Sequence, residues 1–499
     1  MSFDEIVLFV YIASLTILLL FSSHGFIMLY YQKKYGKNEP TGNEPAAFNK
    51  KVTIQLPLFN EMYVAERLID AVCAIDFPRE QMEIQVLDDS TDETYDVVQR
   101  KVAQKKIAGF DIKHIHRTNR GGFKAGALKE GLKTATGDYV AIFDADFIPK
   151  PDFLKNTLKF FTDDNVGLVQ TRWEHLNENY SILTKVQALA LDGHFVIEQT
   201  VRNRAGFFIN FNGTGGIWKK DCITDAGDWH SDTLTEDLDL SYRAQLKGWK
   251  FIYLRDITTP AELPSEMNAL KAQQFRWTKG AIETAKKILP LVWRSKIPLR
   301  VKLQSTFHLT NNIVFPFILL AGILNVPLIF IKNSGPYENL FNFMSVFIIA
   351  FIGSFLFYLF GQKNVYSDWR QRIVLFPLFM AGSMGFAVNN SRAVVEGLLS
   401  RKSEFVRTPK FKVVQKSDSI VKNKYMQGVK VDSSAYVELI LAIYCSIGVF
   451  ASIYFMEIAA LPFQLMFFFG FSCVSFLSFK NSLSSIRTRK ARSIDVYNR

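Results

Sequence analysis

Hydrophobic and polar positions divide the chain into three textures. An unbroken apolar run extends from Ile6 to Tyr31, alternating strand and helix signals run from Lys51 to about Pro260, and long apolar runs return after Leu309. The first run exceeds the about 20 residues that cross a bilayer. Asp4 and Glu5 precede it and Lys33, Lys34 and Lys37 follow it, so the positive-inside tendency places the N-terminus outside. A cleaved signal peptide would want a basic start and a shorter apolar core, so the run is expected to stay as a span.

The middle texture predicts an α/β domain on a mainly parallel sheet. Val52 to Leu56, Glu83 to Leu87 and Tyr139 to Phe143 read as strands, and each stops at polar residues: Asn60 and Glu61, Asp88 and Asp89, Asp144 and Asp146. Ligands of open α/β sheets bind beyond the carboxyl ends of the strands, so these three ends predict one site built from distant stretches of chain. Asp144 and Asp146 stand at i and i+2 and face one point from an extended chain. Hard oxygen ligands there suit Mg²⁺ or Mn²⁺ holding a diphosphate.

Beyond the α/β region, Ala281 to Leu303 mixes seven Lys, Arg and Trp positions among apolar ones and reads as an interfacial stretch. Spans are expected near Leu309 to Ile331, Leu340 to Phe360, Leu439 to Met456 and Ile458 to Phe479, which with the first makes five. Ile373 to Val388 is apolar but short, holds Pro377, and is bordered by Arg370, Arg372 and Arg392. If it crossed, the loop from Arg401 to Lys430, with nine Lys/Arg against two acids, would lie outside, against the positive-inside tendency. It is therefore assigned to the interface. The expected organisation is a transmembrane helix over 1–34, a cytosolic domain over 48–262, interfacial helices over 263–306, two spans over 307–361, an interfacial helix and cytosolic loop over 370–432, two spans over 434–480, and a basic cytosolic tail over 481–499.

Composition agrees with a part-membrane protein: 48% of the 499 residues are hydrophobic and 45 are Phe. The formal charge of +12 could suggest nucleic acid, but much of the excess flanks apolar runs, where retention on the cytoplasmic side accounts for it. No nucleic-acid partner is expected. Cys73, Cys222, Cys445 and Cys473 lack metal or disulfide spacing and are expected to be simply buried.

Chemistry adds four further groups. Arg120 to Ala127 carries paired glycines that permit close backbone approach, with Lys124 as a point charge for a diphosphate; the spacing of a Walker A loop is absent. Phe211 to Gly216 is a second glycine-rich turn, containing Gly213 and Thr214, with Trp173 and Trp218 near it in sequence. Such rings either stack on a sugar face or pack a core. Thr235, as an N-cap, opens a helix whose first turn holds Glu236 and Asp237. Gln273, Arg276 and Trp277 fall at i, i+3 and i+4, hence on one helix face that can meet phosphate and sugar.

Taken in this order, Asp88-Asp-Ser90, Asp144-Ala-Asp146, Thr235-Glu-Asp237 and Gln273 to Trp277 resemble the D, DxD, TED and QxxRW series of family 2 processive glycosyltransferases, the cellulose synthase superfamily. Gln55 to Glu61, Leu87 to Asp92 and Gln170 to Trp173 are similar to the cellulose-synthase-like group that contains mannan and glucan synthases. Phe405, Val406, Arg407, Thr408 and Lys410 resemble that family's gating loop. The resemblance implies a GT-A-like catalytic domain joined to transmembrane helices. It implies that Glu61 and Asp89 meet the nucleoside of the donor, that Lys124, Asp144, Gln273, Arg276 and Trp277 also bind the donor, and that Asp146 binds the metal; the strand-end reading adds Asn60 and Asp88 to the donor contacts and Asp144 to the metal. Asp237, with Glu236 beside it, is the implied base and Trp277 an implied acceptor contact, to which the reading of the glycine-rich turn adds Gly213, Thr214 and Trp173.

The expected function is an inverting transfer of sugar from UDP-glucose or GDP-mannose to a growing β-linked polysaccharide, most simply β-1,4, with export through the chain's own helices. Two alternatives stand beside it: single transfer to a membrane lipid acceptor, and a transporter whose α/β domain only senses nucleotide-sugar. The expected partners are the donor, a polysaccharide or lipid-linked acceptor and the bilayer, with accessory export proteins or a homo-oligomer compatible. The expected location is the cell (inner or plasma) membrane, as a multi-pass protein. With few residues after the last span, control by a cyclic dinucleotide within this chain is not expected.

Overall fold

The computed structural model describes residues 1–43, 50–401, 407–418, 424–426 and 432–497. Side chains are described to residue 482.

Among the described residues, seven strands form one sheet: β1 (Val52–Leu58), β2 (Met82–Asp88), β3 (Asp111–His116), β4 (Tyr139–Ile142), β5 (Val166–His175), β6 (Gly216–Lys219) and β7 (Lys250–Ala261), in the order β3-β2-β1-β4-β6-β5-β7. β3, β2, β1 and β4 are mutually parallel, β5 pairs parallel with β7, and β6 runs antiparallel between β4 and β5. Antiparallel β6 is the reason one edge of the sheet collects the chemistry. Its opening residue Gly216 pairs with Ile142, the last residue of β4, so the turn before it lies at the carboxyl ends of its neighbours.

The central strands read as continuous apolar runs because helices cover both faces. On one face Ile54, Leu56, Ile84 and Val86 pack with Leu68, Ile69 and Val98 of the Ala65–Cys73 and Thr94–Ile107 helices. On the other, Val140 and Ile142 pack with Leu128 of Phe123–Thr134, Ile223 of Lys220–Asp225 and Leu240 of Glu236–Leu246. Trp218 is fully buried with Trp229 in this second layer, so of the two tryptophans near the Phe211 turn it is a core residue.

Among the described residues, five helices are long and apolar enough to cross a membrane: Phe3–Tyr35, Leu299–Ser334, Glu338–Lys363, Ser433–Tyr454 and Leu461–Ser482. These fit a multi-pass membrane protein. The first begins with a capping box, Ser2 Oγ accepting from Glu5 N at 3.2 Å and Glu5 accepting from Ser2 N at 2.8 Å. Its far end is held to the α/β domain by Arg204, which donates to Gly36 O at 2.5 Å and to Glu39 at 2.7 Å.

Several boundaries differ from the sequence expectation. The second long apolar helix starts ten residues earlier than Leu309, because Leu299–Thr310 leads into it. The Ile373 to Val388 region belongs to a pair, Trp369–Gly385 and Ala387–Leu398, bent by 48°. The Ala281 to Leu303 stretch is not one interfacial element. Its first half continues the Met267–Arg294 helix and buries Ala281, Ala285, Ile288 and Val292 against Leu238 and Tyr242. Residues 481–497 continue the last helix. Cys473 is exposed on that helix, unlike Cys222 and Cys445, because the apolar surroundings that accept it lie outside the protein.

Candidate active site

A cavity of about 190 Å³ opens at the carboxyl edge of the sheet. Glu61 reaches it from the end of β1, Asp89 from β2, Asp144 and Asp146 from β4, Trp173 and His175 from β5, and Glu262 from β7. The Glu236–Leu246 helix presents Glu236 and Asp237 from its first turn, and Met267–Arg294 presents Gln273, Arg276 and Trp277. Arg407, Thr408 and Lys410 close the remaining side.

The two helices that face each other across the cavity touch through a glycine. A Cβ on Gly280 would stand 2.6 Å from Thr235 Cγ2 and 3.0 Å from the backbone of Leu234 and Thr235. Absence of a side chain at 280 therefore lets the Gln273–Trp277 face approach the Glu236–Asp237 turn. Thr235 does not cap its helix with its side chain, contrary to the sequence expectation; its hydroxyl pairs with Thr284 Oγ1 at 3.0 Å. The contact with the neighbouring helix replaces the local one.

The glycine-rich turn supplies backbone. Lys124 Nζ donates to Asp144 Oδ1 at 2.5 Å and to Gly213 O at 2.8 Å. Gly213 has φ +77°, and a Cβ there would lie 3.1 Å from Asp237 Oδ2 and 3.4 Å from Lys124 Nζ. Thr214 is buried and does not line the cavity; its Oγ1 accepts from Asp144 N at 2.9 Å and so steadies the strand end from behind.

Electrostatics in this space follow from burial. Asp237 is raised to about 7, first because burial disfavours its charge and second because Glu236 lies beside it. Glu236 is raised for the same first reason, with Lys124 opposing. Glu61 is raised to about 8 by burial, against the pull of Arg407 and Lys410. Lys124 is held above the usual lysine range although burial opposes it, because Asp144 and Glu236 surround it. Burial lowers Arg276, with Glu236 and Asp144 opposing.

Besides Thr214, two expected site residues lie outside the cavity. Asp88 is fully buried behind Asp89, accepting from Ser90 N at 2.9 Å and facing His114 Nε2 at 2.8 Å. Asn60 turns its amide to Thr91, whose N–H it accepts at 2.9 Å. An extended strand sends alternate residues to opposite faces, which separates Asp88 from Asp89. Phe405 and Val406 lie outside the described residues. Arg120, His175 and Glu262 line the cavity unanticipated. Arg120 was legible as a second cation beside Lys124; Glu262 ends a strand whose pattern was not singled out.

Cations already sit on the acids. Lys410 Nζ donates to Asp146 Oδ2 at 2.6 Å, Arg407 lies 2.9 Å from Glu61 Oε2, and Phe411 N donates to Glu262 at 3.0 Å. Arg117 grips both oxygens of Asp89, at 2.8 and 2.5 Å. Arg407 to Lys410 thus form a strap over the acids, and Tyr425 lies beneath the Arg407 guanidinium, donating to Asp92 at 2.7 Å.

Beyond the cavity, the Met267–Arg294 helix is tied to the membrane region. Lys271 Nζ donates to Glu438 at 2.8 and 3.0 Å and to Ser434 Oγ at 2.6 Å, all buried, and Asn389 donates to Lys271 O at 3.1 Å.

A mixed, mostly parallel sheet with acids at its carboxyl edge, carried on apolar helices, defines a GT-A-like domain of membrane type. Comparisons with known proteins agree. The model of the glycosyltransferase-like family 2 matches residues 50–280. Probable glucomannan 4-beta-mannosyltransferase 10 of Arabidopsis thaliana is 34% identical over 410 residues, 80% of this chain and 71% of that protein. The chain belongs to glycosyltransferase family 2. Glucomannan 4-beta-mannosyltransferase 1 of Oryza sativa subsp. japonica is 42% identical over 266 residues, covering 52% of this chain and 50% of the rice protein. The chain thus spans about half the length of some of the curated relatives it matches. Among solved structures, the mannosyltransferase PcManGT of Pyrobaculum calidifontis, in complex with GDP-Man and Mn²⁺, superposes with a TM-score of 0.54 at 20% identity, over 78% of this chain and all of that one. That likeness is one of fold.

Proposed function

We propose that the chain transfers a hexosyl unit, with inversion, from a nucleotide-sugar to a growing β-1,4-linked polysaccharide, and that its membrane helices pass the product outward. The observation that carries this reading is the convergence on one cavity of Asp144, Asp146, Asp237, Gln273, Arg276 and Trp277, which stand up to 133 positions apart in sequence. The names of the plant relatives favour mannose as the first sugar to test, offered here as GDP-mannose, with UDP-glucose second.

Asp146, with Asp144, is the natural holder of Mg²⁺ or Mn²⁺. Both carboxylates line the cavity and each faces an ammonium group, the charge that a divalent ion would bring. When bound, the ion offsets charge on the departing diphosphate. Lys124 and Arg276 add fixed positive charge on the same side. Asp237, poised near neutrality, takes the proton of the attacking acceptor hydroxyl. Trp277 and Trp173, with ring centroids 6.4 Å apart, offer apolar faces to the acceptor sugar, and Gly213 leaves room beside Asp237. Glu61 and Asp89 stand at the nucleoside end.

The strap must withdraw for this. Lys410 holds Asp146 and Arg407 holds Glu61, so both carboxylates must be released before they can meet an ion or a donor. The α/β domain is assigned to the cytosolic side by the positive-inside tendency. Purified full-length chain given GDP-mannose or UDP-glucose with Mn²⁺ should release nucleoside diphosphate and form polymer cleaved by a linkage-specific glycanase. Product moving wholly with lipid would favour single transfer to a lipid, and no turnover with either donor would remove the reading.

A further inference from the structure

Asp88, set aside from the donor cavity, lies within a second group of ligating side chains. His114 and His116 stand at i and i+2 on β3, the edge strand, and therefore share one face of the sheet. Asp88 is the register partner of His116 on β2. Its Oδ2 lies 2.8 Å from His114 Nε2 and 3.7 Å from His116 Nδ1, and the ligand atoms of all three fall within 4.8 Å of one another.

We propose that Asp88, His114 and His116 form a transition-metal site, taking Zn²⁺ or a similar borderline cation, distinct from the Mg²⁺ or Mn²⁺ position at Asp146. Two imidazoles and one carboxylate select such metals over Mg²⁺, which prefers oxygen. A metal about 2.0–2.2 Å from each ligand atom separates those atoms by somewhat over 3 Å, between the two distances present. Ser90 N–H on Asp88 Oδ1 orients the carboxylate and leaves Oδ2 toward the imidazoles, the outer contact that a ligating carboxylate requires. Tyr95 packs against both rings, with centroids 5.2 and 4.7 Å away. Asp88 is fully buried, His114 is partly buried and the His116 side chain is 29% exposed, so the fourth position opens to solvent.

Charge separates this group from the other histidine-acid cluster. At His230, Asp232 and Asp239, Lys287 lies 2.8 and 3.0 Å from the two carboxylates and Arg243 lies 2.7 Å from Asp239, so the cation's place is taken. Among the described residues, the ion-pair partners of Asp88 are the two imidazoles alone. The site also has a consequence for the cavity. Asp88 precedes Asp89 and His116 precedes Arg117, so a metal joining the ends of β2 and β3 fixes the Asp89–Arg117 pair.

The test uses full-length chain in detergent, carrying a tag without histidines, stripped with chelator and held in saturating Mg²⁺. Co²⁺ titration followed by visible absorption, then Zn²⁺ competition and metal analysis, should show about one tightly held ion per chain. His116→Gln and His114→Gln should each weaken it by roughly 10–100-fold or more, while Asp146→Asn should retain it. X-ray absorption at the zinc edge of the unaltered chain should show two imidazole ligands, a reading that needs no variant to fold. Zinc uptake indifferent to both histidine variants, loss of the ion in Asp146→Asn, or an edge spectrum without two imidazoles would each overturn the site and leave a hydrogen-bonded cluster only.

Discussion

Lys410 Nζ lies 2.6 Å from Asp146 Oδ2, and both side chains are nearly closed to water. A lysine 264 positions along the chain thus occupies the acid best placed to hold a divalent ion. On the proposed reading, strap and ion would compete for one carboxylate oxygen. Replacing Lys410 by Met should lower the Mn²⁺ concentration needed for half-maximal donor binding by roughly tenfold, since a hydrogen bond to a charged group is worth about 1.5–3 kcal/mol. Calorimetric titration of Mn²⁺ with donor present measures it. An unchanged or higher requirement would mean that the lysine assists the ion instead.

Asp237 carries a pH dependence with a definite sign. Its acid form cannot accept a proton, and burial with Glu236 beside it brings its ionisation to about 7. Turnover should therefore fall below about pH 7 and level off above it. Removing the neighbouring charge with Glu236→Gln should move that limb toward acid by about one unit. A profile of kcat against pH for both forms decides the matter, and a limb that stays in place would deny the coupling.

Asp237→Asn keeps the shape and removes the proposed base. Turnover should drop by roughly 10²–10⁴-fold while equilibrium binding of the intact donor changes little. Nucleoside diphosphate release and donor titration on the same preparation separate the two effects.

Gly280→Ala should crowd the Glu236–Asp237 turn, at a cost of about 1–3 kcal/mol, because its Cβ meets Thr235 Cγ2. Adding Thr235→Ser removes that methyl and retains the hydroxyl that pairs with Thr284. Activity and thermal midpoint should recover in part. Equal damage in the single and double variants would place the conflict at the backbone contacts.

Much of the candidate site's edge was legible because its signals are local. Apolar runs ending in Glu61, Asp89 and Asp146 announce buried strands that reach a cleft, and i, i+3, i+4 spacing puts Gln273, Arg276 and Trp277 on one face. Asn60, Asp88 and Thr214 were read as site residues from proximity alone. Strand alternation turned Asp88 inward, Thr91 claimed Asn60, and the amide of Asp144 claimed Thr214. His175 and Glu262 went unread because β5 and β7 become neighbours of the site only through the antiparallel insertion of β6, which no spacing announces. The five long apolar helices were readable from length and apolarity, whereas the 48° bend between Trp369–Gly385 and Ala387–Leu398 was not.

The buried pair of Lys271 and Glu438 bears on how this enzyme can be handled. A truncated domain that kept Gln273, Arg276 and Trp277 but ended before Ser433 would leave an ammonium group with no counter-charge, a loss of roughly 3–5 kcal/mol, two residues from Gln273. Donor and acceptor chemistry should thus be studied on the intact polypeptide in lipid or detergent, since an excised soluble fragment would report on a displaced helix.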